Sequence, residues 1–256
     1  MAKHTAGLAL LLGACTADMS ALPACERGDA ACVPHVVAEM TARYQPLADA
    51  CDHGAPFSLT YLRTTETFGR TRDVLPYADP ASVTREDALF ADYFFRPWDA
   101  WHTGEGAVPP VWQVAFEAWE GHEVNVLGSV MLGMTAHIQR DLAFVLVDLA
   151  ESGHPVSYDD HLVVNQFLAQ VDVVGELADR FDPAFPDAIG ASVLDPWREL
   201  AWNDAQRMLD APDAAARAAV EAEIEAAAVD SAEAFRDLLR VADGGAARDA
   251  YCEARR

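Results

Sequence analysis

His137 and Asp141 stand four residues apart in His137-Ile138-Gln139-Arg140-Asp141, within the apolar stretch Val124 to Ala150. On one helix face, an imidazole and a carboxylate at this spacing can both reach a single metal ion. They can equally form a general base with the acid that fixes its tautomer, or a buried pair in which each satisfies the other. At 100° per residue, Asp148 falls within roughly 40° of both on the helix wheel. Three ionisable groups on one stripe of an apolar helix need partners, and those partners define the chemistry.

The stretch that carries them is apolar on nearly every side, which predicts the buried central helix of a bundle. Its length of about 27 residues would suit a bilayer, but His137, Arg140, Asp141 and Asp148 make hydrocarbon a costly environment. Tyr158 to Arg180 is the next predicted helix, capped by Ser157 with Asp159 and Asp160 in its first turn. The short connector makes the two antiparallel neighbours. His161, Asn165 and Asp172 share a stripe on the second helix, so a polar seam is expected down a central hairpin. It would set His137 level with Asp172, and Asp148 beside Asp160 and His161. Asp195-Pro196 opens a later helix, Trp197 to Leu209, carrying Arg198 and Glu199.

The leading functional expectation is a metal-assisted hydrolase or lyase. His137 and Asp141 would be ligands or the base pair, with Asp160 or Asn165 completing a metal set and Arg198 and Glu199 joining from the later helix. Zinc or calcium would activate water by lowering its pKa. The alternative is a non-catalytic lipoprotein that binds a small molecule in a pocket lined by the seam and the aromatic run Tyr93 to Trp101. A purely structural seam is the third reading.

The remaining elements are also helical. Val33 to Ala50 and Phe57 to Phe68 come first. Thr84-Arg85-Glu86-Asp87 reads as a near capping box before the aromatic helix Ala88 to Trp101, which Pro97 should kink. Pro109-Pro110 open a helix carrying Trp112, Phe116 and Trp119. Ala214 to Val229 and Ser231 to Ala242 follow, with Gly244-Gly245 as a stop. No period-2 run, repeat or glycine-rich phosphate loop is present. The expectation is an all-α, single-domain bundle of about eight helices around a buried central hairpin, spanning residues 33–256.

Formal net charge is −23, from 41 acidic and 18 basic residues. A field of that sign repels phosphate backbones and anionic lipid, so no nucleic-acid partner is expected. Lys3 and His4 precede the apolar run Ala6 to Leu12, and Leu12-Gly13-Ala14-Cys15 resembles the lipobox of bacterial lipoproteins. Residues 1–14 are therefore expected to be a signal peptide, Cys15 the lipidated residue, and 15–32 a tether. The protein would be exported, lipid-anchored at the envelope or secreted, and would meet a membrane only through its lipid. Four cysteines then remain, which suggests two disulfides with three possible pairings. Cys25–Cys32 is favoured as a short local loop. Cys51–Cys252, closing a very long one, would contribute about 5 kcal/mol in the chain-entropy model. No feature sets an oligomeric state.

Five segments occur in order: FSLTYLRTTET from Phe57, DYFFRPWDAW from Asp92, VMLGMTAHIQRDL from Val130, DHLVVN from Asp160 and RELAW from Arg198. Together they resemble an uncharacterised bacterial family, domain of unknown function 5995, over roughly residues 35–210. That family's signature is Leu-Gly-Met-Asn-Ala-His-Ile-Asn-x-Asp-Leu, with Thr135 and Gln139 here in place of its two asparagines. The resemblance implies a helical domain and supplies no reaction.

Overall fold

The computed structural model describes residues 18–186 and 191–256, the side chains of 191–193 excepted. The expected signal peptide and Cys15 lie outside the described residues. Among those described, the chain is all-α, with one isolated β-bridge between Val124 and Arg240.

A short helix α1 (Pro23–Glu26) leads into α2 (Cys32–Ala50) and α3 (Ala55–Thr71). Next come α4 (Pro80–Thr103) and α5 (Pro110–Glu120). The apolar stretch forms one rod of three parts: α6 (Val126–Met134), a π-helical segment (Thr135–Asp141) and α7 (Leu142–Glu151). After it lie α8 (Tyr158–Leu168), α9 (Val174–Arg180), α10 (Ala191–Leu209), α11 (Ala214–Leu238) and α12 (Ala246–Glu253). The helices exceed the expected eight because several are short.

The rod Val126–Glu151 is long and apolar enough to cross a membrane, but it is mostly buried inside the fold. α3, α4, α5, α10 and α11 all pack on parts of it. Gly133 permits the closest approach: a Cβ there would lie 2.2 Å from the Phe57 ring. Phe57 in turn meets Phe94, Trp112 and Trp119, so an aromatic core forms beside the rod.

The expected central hairpin does not form. α8 does not pair with α7; it packs on α3 and α10, while α10 takes the place beside α7. The predicted helix Tyr158 to Arg180 also breaks between α8 and α9. The π segment adds a residue to its turn, the Leu142 N–H reaching back to the His137 carbonyl. That advances the wheel and leaves Asp148 exposed, where it accepts from the Tyr93 hydroxyl at 2.7 Å. No seam runs from His137 to Asp148.

α4 starts earlier than Thr84. Asp79 is its N-cap, accepting from the Ala81 and Ser82 amides, with Pro80 in the first turn. The helix passes through Pro97 to Thr103. Residues 18–32, expected as tether, are packed instead: Met19 and Cys25 are buried, and the Met19 and Ser20 amides donate to Asp92. Both favoured disulfides are present, Cys25–Cys32 and Cys51–Cys252, the second joining residues 201 apart. They are consistent with an exported protein.

Candidate functional site

The π segment holds His137 and Asp141 in the interior and within hydrogen-bonding reach of each other. His137 Nδ1 lies 3.1 Å from Asp141 Oδ2. Trp112 Nε1 donates to the same oxygen at 2.9 Å, and Arg140 Nη1 to Oδ1 at 2.7 Å. Asp141 is wholly inaccessible to solvent, so this carboxylate is desolvated but held by three donors. Arg140 is shared with Glu225 of α11.

An ionised carboxylate only accepts, so the His137 proton sits on Nδ1 and Nε2 presents a lone pair. Nε2 is buried and has no partner among the described residues. Burial pulls the imidazole below its ordinary pKa, against the pull of Asp141, so the ring is neutral at neutral pH. Phe90 stacks on one face with centroids 3.5 Å apart, and Tyr61 meets the ring edge-on at 4.6 Å.

His137 lines a cavity of about 160 Å³ enclosed mainly by α3, α4, the rod, α8 and α10. Its walls are mostly apolar, including Phe57, Phe68, Met134, Val164, Phe167 and Leu194. Tyr61, Thr65, Glu86, Asp87 and Arg198 add polar groups. Tyr61 Oη, Thr65 Oγ1, Glu86 Oε2 and Asp87 Oδ2 are all buried without a partner among the described residues. Unmatched polar atoms in such number are unusual in a protein interior, and here they line one cavity.

Their protonation follows from burial. Desolvation, and then the neighbouring Glu86, push Asp87 up to about 8, so it keeps its proton at neutral pH. Glu86 is also raised by burial, with Arg198 opposing. Burial and the Asp87 and Asp141 carboxylates push the Tyr61 phenol well up, leaving it a donor. The cavity therefore offers one neutral imidazole lone pair, one protonated carboxyl and one phenol.

Residues 33–238 match the model of a family described as a family of unknown function, DUF5995. The chain belongs to that family. No curated protein and no solved structure matches it.

In this DUF5995 chain the four expected metal ligands are not drawn together. Both Asp141 oxygens are occupied as described. Asp160 accepts from the Ala78 and Asp79 amides at 2.6 and 3.0 Å, bracing the entrance to α4. Asn165 Oδ1 accepts from Arg198 Nε at 2.8 Å. Arg198 also donates to the His161 carbonyl at 2.8 Å and to His161 Nδ1 at 3.1 Å. Glu199 points elsewhere and accepts from Tyr158 Oη at 2.9 Å. Of the aromatic run Tyr93 to Trp101, none lines the cavity; Phe94, Phe95 and Trp98 fill the core.

Glu86 and Asp87 were missed because a start at Thr84 makes them ordinary first-turn acids. The signal that finds them is Asp79-Pro80, an N-cap followed by an N1 proline. That start places both inside the helix, with Asp87, Phe90 and Phe94 on one face. Tyr61 and Thr65 share a face of α3 by the same spacing.

Proposed function

We propose that the cavity is the active centre of an acid–base enzyme, a hydrolase or lyase acting on a small, largely apolar molecule. His137 Nε2 is the general base, oriented by Asp141, and Asp87 is the general acid. The observation that carries this reading is the opposite perturbation of two groups facing one cavity. The imidazole is held unprotonated and the carboxyl protonated, which is how paired environments assign acid and base roles. Tyr61 adds a hydrogen-bond donor for a developing oxyanion. A cavity of about 160 Å³ suits a molecule of aromatic-ring size.

Non-catalytic binding of such a molecule is the second reading, favoured by the apolar walls. Hydrolysis of 4-nitrophenyl acetate and butyrate, with p-cresol binding measured in parallel, separates the two. His137→Ala should keep p-cresol affinity and lose at least ~100-fold in rate. The rate should also decline above pH 8, where Asp87 ionises. Cresol binding with no His137-dependent turnover would favour the binder; neither binding nor turnover would refute both readings.

We also assign the exported chain a lipid at Cys15. Palmitate labelling lost in Cys15→Ser is the expected result, and labelling that survives would contradict it.

A further inference from the structure

A second cluster of ligating groups lies where two connections meet the last helix. His53 stands between α2 and α3, His122 between α5 and α6, and Asp249 in α12. The ligating atoms of the three lie within 4.8 Å of one another. His53 Nε2 is 2.9 Å from Asp249 Oδ1, and His122 Nδ1 is 3.2 Å from Oδ2. The imidazoles stack with centroids 4.0 Å apart.

The surroundings hold this arrangement. The Ser129 hydroxyl donates to the His53 carbonyl. Gly245, at φ 77°, brings backbone so close that a Cβ there would lie 2.4 Å from His53 Cε1. Arg248 is nearby and contacts Asp249 Oδ1 at 3.2 Å, but it also donates to the carbonyls of Cys51 and Asp52. It therefore keeps partners if the carboxylate turns. The Cys51–Cys252 disulfide closes the same corner.

We propose that His53, His122 and Asp249 bind a zinc ion. Two imidazole nitrogens and one carboxylate oxygen form a donor set that suits zinc and disfavours calcium or magnesium. His53 is buried, whereas His122 is 45% and Asp249 30% exposed, so the cluster opens to solvent on one side. Three protein ligands with an open fourth position describe an exchangeable site where water or a substrate group completes the tetrahedron. On binding, each neutral ring carries its proton on the nitrogen away from Asp249, so His53 Nε2 and His122 Nδ1 present lone pairs to the ion beside the carboxylate oxygen, with no net loss of a proton. The ion would tie the α2–α3 connection to the last helix, reinforcing the disulfide. This proposal is independent of the His137 cavity.

The test is titration of zinc into the chelator-treated, disulfide-intact protein against a chromophoric chelator. One zinc per chain is expected, at micromolar affinity or tighter. His122→Ala and Asp249→Asn alter partly exposed side chains, and circular dichroism should report both as folded. Each should weaken binding at least ~100-fold, because one of three ligands is lost. His137→Ala should bind zinc as the unaltered protein does. Zinc binding that is absent from the unaltered protein, or undiminished in the folded His122→Ala and Asp249→Asn variants, would overturn the proposal.

Discussion

His137 and His161 are both buried, and each leaves Nε2 without a partner among the described residues. What differs is the charge beside Nδ1. Asp141 accepts a proton from His137, so Nε2 becomes a lone pair. Arg198 donates to His161, so the proton is forced onto Nε2. One residue type thus presents a lone pair at Nε2 in His137 and a buried N–H at Nε2 in His161. The sign of the neighbour, rather than burial, selects the chemistry.

The largest effect should come from breaking the anionic half of that comparison. Asp141→Ala strands buried donors on Trp112, His137 and Arg140, and should cost about 3–5 kcal/mol in urea unfolding. His161→Phe leaves Arg198 its bonds to the 161 carbonyl and Asn165, so a smaller loss, about 1 kcal/mol, is expected.

Both histidines also shape stability against pH. Burial, then Arg198, hold His161 down to about 3, and burial lowers His137. The unfolded chain therefore takes up these protons first. Their contribution is full above pH 6.5 and is lost on acidification, by up to about 1.4 kcal/mol per pH unit per group. Asp87, raised to about 8, acts in the opposite sense. The folded state keeps a proton the unfolded chain releases near its ordinary 3.8, so stability falls as pH rises from there towards 8. Melting curves should show Asp87→Asn gaining on the unaltered protein as pH rises from about 5 to 8. The smallest effect belongs to Glu199→Gln, whose exposed contact with Tyr158 should leave the melting midpoint unchanged.

Much of the fold was legible because helix signals are local. The apolar rod, the helix at Pro110 and both disulfides follow from periodicity, caps and cysteine spacing. The neighbours of the rod were not legible. Pairing by connector length assumes that successive helices pack together, and α8 instead leaves α7 for α3. The π turn adds to this, since one extra residue moves Asp148 off the stripe of His137 without any breaker to announce it. Within the site, His137 and Asp141 were visible from their spacing. Glu86, Asp87 and Tyr61 were not, because they converge from separate helices, and burial rather than residue type gives them their character.

The central claim concerns one atom, His137 Nε2, and nitrogen NMR of ¹⁵N-histidine-labelled protein observes it directly. The expected result is a neutral ring protonated at Nδ1, with Nε2 unprotonated at neutral pH and no titration near 6.5. Adding p-cresol should move the Nε2 resonance. A ring protonated at Nε2, or one that titrates near 6.5 like a solvent-exposed histidine, would contradict the account.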